Sequence, residues 1–523
     1  MKNKPILFIV EKTIIDGKSY FGSSNDLLLI SSALKMGFEV YVATPTDVVL
    51  NHNKTTNFLV LKLSKNIDAV DEELTKFFAK EVINCLLALP PKPTQSEKEQ
   101  SGILFLRSKK TEIDLNKVLI FNRAEPISLN DKFYDLLILW QNLGIKISPN
   151  PYLNKILGDK LAINAIHENF PIAGINLLEG VDFAKGENEI SFKTKIIPIS
   201  KNDLSGDKIS EFYDLLIDKN FSKANEEFGA EYRVFIQGAE GYLEFHKELE
   251  NDSILKPADY FGGVGIVVVK NQTLDLGQAI SNIAQSFLAI KKDSNGNGKA
   301  FLPSIIIQKR ASEAHLGDLR IVFCGGNLQG VFIRINPDFE KSKANNIRFG
   351  GHPESLFKHY EISKEGVDLM VADISDEVEI RKSQALYGIL EIIAFLKQIK
   401  VFSQYAIIGA DALLSCDKYG NYKYKINEVN ITSPMGQVQL LLLQIAIKFS
   451  DESLKILNQK GVEIELKKHQ ILADFFKEQN ADLTLKAKDI LLSDQNFQEI
   501  IGREIRKILK NNIAFETLEF FAK

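Results

Sequence analysis

In the run YKYKINEVNITSPMG, from Tyr422 to Gly436, Glu428 and Asn430 set a carboxylate and an amide two residues apart in a segment of β-formers. Strand side chains alternate with a period of two, so both groups share one face. Upstream, AIIGADALLS places Asp411 in a second apolar strand, and CDKYGNY supplies the turn that joins the two as a hairpin. Asp411, Glu428 and Asn430 can thus converge from adjacent strands. All three offer hard oxygen donors, which suits Mg²⁺ (or Mn²⁺), an ion that completes its shell with phosphate oxygens and water. A solvated hairpin face with incidental acids is the bland alternative, disfavoured by the buried look of Ala410 and Leu413. Ile426, Val429 and Ile431 are expected on the opposite, core-facing side.

Positive charge appears in the same half of the chain. In ILKPADYFGGVGIVVVK a strand ends at Lys256-Pro257, a turn holds Gly262, Gly263 and Gly265, and a β-branched strand resumes. Glycines let backbone N–H groups approach phosphate oxygens, and Lys256 adds a point charge. The stretch is neither a P-loop, which needs Lys-Ser/Thr opening a helix, nor a dinucleotide fingerprint, since a strand follows. A tight hairpin turn fits equally well. SIIIQKRASEAHLGDLRIVFCGGNLQGVFIRINP then delivers Gln308, Lys309 and Arg310 at a strand end, followed by Asp318, Arg320 and Arg334. The last two lie in otherwise apolar strands, where an arginine requires an anionic partner from the protein or a ligand. The polar FEKSKANNIRFGGHPES suits a flap that orders over a ligand, or a plain surface loop.

These segments need a scaffold, and composition bounds it. A chain of 523 residues with 45% hydrophobic and 25% charged side chains is long enough for two or three globular domains. The net charge of -4 gives no electrostatic reason to expect nucleic acid or an anionic membrane. Three dispersed cysteines and seven histidines without metal-ligand spacing argue against disulfides and zinc and for a reducing, cytoplasmic setting. The short apolar run after the basic start reads as a first strand, and VQLLLLQIAIKF is too short to span a bilayer.

Residues 1–150 alternate apolar runs (PILFIV, FEVYVAT, KVLIFNR) with amphipathic ones (NDLLLISSALKMG, DKFYDLLILWQNLG), which predicts an open parallel sheet with helices on its faces. Residues 151–450 form a second α/β unit, with an apparent insertion at about 185–245, and 451–523 read as a helical extension.

In order along the chain, FNRAEP, NPYLNKILGDKLA, ILKPADYFGGVGI, QKRASEAHLGDLRIVF, NIRFGGHPE and GADALL…INEVNITSP resemble the motifs of the ATP-grasp ligases, and within them bacterial glutathione synthetase. The resemblance covers roughly residues 120–175 and 250–440. It implies an ATP-grasp fold of the α/β class preceded by a parallel-sheet domain. The implied reaction is an ATP- and Mg²⁺-dependent ligation of γ-glutamylcysteine to glycine through an acyl phosphate, in a homodimer or homotetramer.

Position by position, Lys160 and Lys256 are similar to the lysines that hold the α- and β-phosphates, and Gly262–Gly265 to the loop over them. Gln308, Lys309 and Arg310 resemble the hinge at adenine, with Asp318 nearby. Arg320 and Arg334 resemble the arginines at the transferred phosphate, and Asp411, Glu428 and Asn430 the magnesium ligands. Arg123, Asn346, Gly350, Gly351 and Ser433 match positions near the peptide substrate. The chain departs from the pattern in its length, in the expanded stretch between Lys160 and Lys256, and in Ala124-Glu125-Pro126-Ile127 and Met435-Gly436. Another ligase of the same superfamily, or a nucleotide-binding protein without catalysis, are the competing readings.

Overall fold

The computed structural model of the chain describes residues 4–15, 18–50, 57–63, 67–87, 108–124, 132–157, 194–197, 211, 215, 220, 222–224, 226–228, 252–257, 266–270, 305–336, 339, 345, 352–355, 377–416, 419–431, 436–462, 481–510 and 512–522. The architecture is mixed α/β. Its first sheet runs, in spatial order, β6 (Ser108–Asp114), β5 (Asn57–Leu63), β4 (Val40–Ala43), β1 (Ile6–Ile9), β7 (Leu119–Asn122) and β8 (Ile147–Ser148). β4, β1, β7 and β8 are parallel, as predicted, whereas β5 and β6 add an antiparallel edge. A small hairpin, β2 (Lys12–Ile15) with β3 (Lys18–Phe21), follows β1.

Every residue of β1 is buried because the sheet is covered on both faces. Ile6 and Phe8 meet one apolar cluster, while Leu7 and Ile9 meet another that contains Trp140. The Ser24–Lys35 helix starts with a capping box between Ser23 and Asp26 and stops before Gly37, whose φ of 82° suits glycine.

Two further antiparallel sheets follow. One has the order β11 (Val267–Lys270), β10 (Asp252–Pro257), β12 (Ile305–Lys309), β9 (Thr194–Ile197). The other has the order β15 (His352–Ser355), β14 (Asn327–Ile335), β13 (Asp318–Cys324), β16 (Ile408–Cys416), β17 (Tyr422–Asn430). On the five-stranded sheet, Leu319, Ile321, Phe323, Ala410, Ala412 and Ile426 form a core with the Glu377–Gln398 helix. The alternate positions, Asp318, Arg320 and Val322 on β13 with Phe332 and Arg334 on β14, form the other face. Val322 and Phe332 join the large cluster of the first sheet, so the charged residues lie on the face turned toward the N-terminal region.

Beyond Gly436 the described residues form the helices Gln437–Gln459, Ala481–Ser493, Gln495–Lys510 and Ile513–Ala522. These helices share one apolar cluster with the first sheet. The Phe521 ring stacks on Phe121 of β7 at 4.6 Å, and Thr517 accepts a hydrogen bond from Gln437 at 2.8 Å, both residues fully buried. No described helix is long and apolar enough to cross a membrane.

Candidate functional site

Cross-strand register assembles the site. Asp318 lies opposite Arg334, Arg320 opposite Asp411, and Asp411 opposite Glu428. Residues that face each other across antiparallel strands share a face, so one row of the sheet presents Arg334, Asp318, Arg320, Asp411, Glu428 and Asn430 together.

The two strand arginines find their anions inside the chain. Arg320 donates to both Asp411 oxygens, from Nε at 2.5 Å and Nη2 at 2.9 Å. Arg334 does the same to Asp318, at 2.6 and 2.8 Å, and its Nη2 also reaches Asp411 at 3.0 Å. All four residues are at most 7% exposed. Forked guanidinium–carboxylate pairs of this kind are planar, charge-assisted and strongly oriented. Burial pushes the Asp318 carboxyl up to about 6, against the pull of Arg334. For Asp411 burial acts in the same direction, but Arg320 and Arg334 outweigh it and hold the carboxyl below the usual range.

At the end of the row, Asn430 Nδ2 lies 3.2 Å from Asp411 and 3.4 Å from Glu428. The convergence expected of Asp411, Glu428 and Asn430 is therefore present. Glu428 and Asn430 share a face by alternation, as expected, and the strand departs from alternation only before Glu428. A strict period of two would put Ile426 on the same side as Glu428, yet Ile426 is buried in the core and Glu428 is half-buried on the other face. The register between β16 and β17 slips between Asp411 and Ala412, where Asn427 takes the extra place. This bulge reverses the phase and turns Glu428 outward.

Asn427, which the sequence reading passed over, has a second role. Lys256 Nζ on β10 donates to Asn427 Oδ1 at 2.8 Å, although Lys256 itself is only 4% exposed. The bond ties the four-stranded sheet to the strand that carries Glu428. Lys256 lies opposite Ile306 and Ile254 opposite Gln308, so Lys256 and Gln308 share a face, whereas Lys309, opposite Ser253, is on the other. Side chains of Gln308 and Lys309 therefore leave β12 on opposite faces.

The remaining expectations divide. Asp318, expected near adenine, accepts both forked bonds of Arg334. Arg123, expected near the peptide substrate, is 1% exposed and donates from Nε to Asp26 at 2.9 Å, the carboxylate that also closes the capping box of the Ser24–Lys35 helix. Beside it, Asn25 Oδ1 accepts from the backbone N–H groups of Gly436 and Val438 at 3.4 and 3.1 Å. Gly436 itself lies against the row, since a Cβ there would sit 2.8 Å from Val322 Cγ2 and 3.4 Å from Arg320 Cγ. Asn25 and Gly436 thus join the N-terminal region to the back of Arg320, a link that only long-range packing could reveal. Buried Asn345, at the root of the expected flap, donates to the Ala314 carbonyl at 2.7 Å, next to the turn that follows Arg310. Lys160, Gly262, Gly263, Gly265, Asn346, Gly350, Gly351 and Ser433 lie outside the described residues.

Among the described residues no group of three or more His, Cys, Asp and Glu side chains is placed to hold a metal. Among these residues an amide oxygen would have to complete a cation site. Glu428 and Asn430, half-buried and adjacent, fit a hard dication in donor type. Asp411 fits in type also, but its oxygens are engaged by guanidinium groups.

No family model matches the sequence, and no curated protein is similar to it at a significant level. Among solved structures, the chain is similar to D-cycloserine synthetase DcsG, with 10% identity over 85% of this chain and 99% of that one, at a TM-score of 0.38. It is similar also to a RimK-domain ATP-grasp protein from Sphaerobacter thermophilus, with 10% identity, coverage of 84% and 96%, and a TM-score of 0.36. A third likeness is to D-alanine–D-alanine ligase from Bacillus anthracis, solved with ATP, with 11% identity, coverage of 93% and 99%, and a TM-score of 0.34. At these identities and TM-scores the likenesses assign neither activity nor site residues.

Proposed function

We propose that the chain is an ATP- and Mg²⁺-dependent carboxylate–amine ligase of the ATP-grasp type, with γ-glutamylcysteine and glycine as the acid and amine that best fit its motif order. One observation carries this reading. The Lys256–Asn427 bond ties the sheet that carries Lys256 to the strand of Glu428 and Asn430, at the end of the Arg334–Asp318–Arg320–Asp411–Glu428–Asn430 row. A structural ion-pair network alone would not need a buried lysine from a second sheet at the same place.

In this reading Lys256 holds a phosphate of the nucleotide, and Arg320 and Arg334 supply fixed positive charge where the transferred phosphoryl group spreads its negative charge. Glu428 and Asn430 would hold the magnesium, which when bound would neutralise phosphate charge. The acid substrate's carboxylate oxygen attacks the γ-phosphorus as the bond to the β-phosphate oxygen breaks. The amine nitrogen then attacks the acyl carbon, the C–O bond to phosphate breaks, and the amine loses its proton to solvent. No side-chain nucleophile is required, consistent with the lack of any Ser-His or Cys-His pairing in the sequence reading.

A phosphate-release screen of dipeptide acids against amino acids, with ATP and Mg²⁺, tests the proposal. Release that requires both γ-glutamylcysteine and glycine supports the full reading. Release with another acid–amine pair keeps the ligase and removes glutathione synthesis, and release with none removes the ligase.

A further inference from the structure

Resting on the ligase reading above, we propose that Asp411 is withheld from cations in the nucleotide-free protein. It serves as the resting counter-anion of Arg320 and Arg334, and a dication together with the nucleotide's outer phosphates displaces it from that role.

A carboxylate offers about four lone-pair positions. Asp411 Oδ1 takes Arg320 Nε at 2.5 Å and Arg334 Nη2 at 3.0 Å, while Oδ2 takes Arg320 Nη2 at 2.9 Å and Asn430 Nδ2 at 3.2 Å. Its acceptor capacity is filled, and the side chain is 3% exposed. A dication seeking these oxygens would be placed against two guanidinium groups. Glu428 differs, accepting the long 3.4 Å bond from Asn430 at a half-buried position, so it is where a cation first finds oxygen.

Phosphate oxygens match the guanidinium fork as well as a carboxylate does. When polyphosphate arrives it gives the arginines a substitute anion, and Asp411 is released toward the cation. A cation that draws Asp411 away likewise frees the arginines for phosphate. The two ligands therefore help each other, and the help is reciprocal by thermodynamic linkage. Arg334 keeps Asp318 as a partner throughout, which leaves Arg320 as the residue that changes partner.

The test measures Mn²⁺ binding to the full chain by electron paramagnetic resonance of the free ion, with and without a β,γ-methylene ATP analogue, each compared with the same solution lacking protein because the analogue itself chelates Mn²⁺. Wild-type protein is expected to bind Mn²⁺ weakly alone and more tightly with the analogue. Arg320→Lys, which keeps the charge and loses the fork, is expected to tighten Mn²⁺ binding without nucleotide by about tenfold, the equivalent of one charge-assisted hydrogen bond. Asp411→Asn should abolish the tightening by the analogue, because the carboxylate that Arg320 releases is no longer there. Equal Mn²⁺ affinity with and without the analogue, or an Asp411→Asn loss as large as that of Glu428→Gln, overturns the proposal and leaves the ligase reading standing. Failure to bind Mn²⁺ in either condition removes both. If Arg320→Lys does not fold, arginine Nε–H resonances of ¹⁵N-labelled wild-type protein decide the matter. The Arg320 signal should stay with Mg²⁺ alone and move with Mg²⁺ plus analogue, and movement with Mg²⁺ alone refutes the exchange.

Discussion

Replacing Arg334 by methionine keeps most of the side-chain stem and removes the guanidinium that answers Asp318. Asp318 is 7% exposed and receives both of its forked bonds from Arg334, at 2.6 and 2.8 Å. Breaking a buried ion pair from one side costs about 3–5 kcal/mol, because the remaining charge stays desolvated. The orphaned carboxylate has one escape, which is to take up a proton. Burial already pushes it up to about 6, above its unfolded value of 3.8, and Arg334 opposes that rise. In the variant the folded state therefore binds more protons than the unfolded state across this window, and its stability falls as pH rises. The deficit should be largest near neutral pH and shrink toward about pH 5. Urea unfolding followed by far-UV circular dichroism, at several pH values, reads this directly. Fluorescence is less suited, since the single tryptophan, Trp140, lies in the core of the first sheet. Adding Asp318→Asn to Arg334→Met should recover part of the loss by removing the stranded charge. A deficit below about 1 kcal/mol with no pH dependence would refute the pairing.

Glu428→Gln should behave in the opposite way, shifting stability by less than about 0.5 kcal/mol while abolishing Mg²⁺-dependent phosphate release, and a retained rate counts against its role. Gly436→Ala should cost about 1–3 kcal/mol, read from the urea midpoint, because its φ is 148° and the new Cβ would press on Val322. Phe521→Ala should cost about 3–5 kcal/mol by the same assay, since the ring is buried against Phe121; a silent change would mean that the C-terminal helix is not part of the core. Asn25→Ala should lose about 1–2 kcal/mol by leaving the N–H groups of Gly436 and Val438 without their acceptor, and unchanged stability would show that water replaces it.

The exclusively short-range features were readable from residue order. Glycine stops at Gly37 and Gly144, buried apolar runs at β1 and β7, and the Gly325-Gly326 turn between β13 and β14 follow from backbone sterics and burial within a few residues. Two arginines in apolar strands announced buried anions, and both anions are there. What residue order left open was which carboxylate answers which arginine, because β13, β14, β16 and β17 come from segments up to a hundred residues apart and only their register pairs them. The bulge at Asn427 was equally illegible. Ile426 was expected on the core side, where it joins the cluster that includes the Glu377–Gln398 helix, but strict alternation cannot set it opposite Glu428, and only the strand register shows the extra residue.

Local composition, then, determined the elements and the kinds of charge they carry, since propensity and patterning act within a few residues. Tertiary structure alone decided the pairing of those charges, the link from Lys256 to Asn427, and the place of the C-terminal helix on β7. Each of these depends on surfaces that become neighbours only when distant strands and helices bury their apolar faces together.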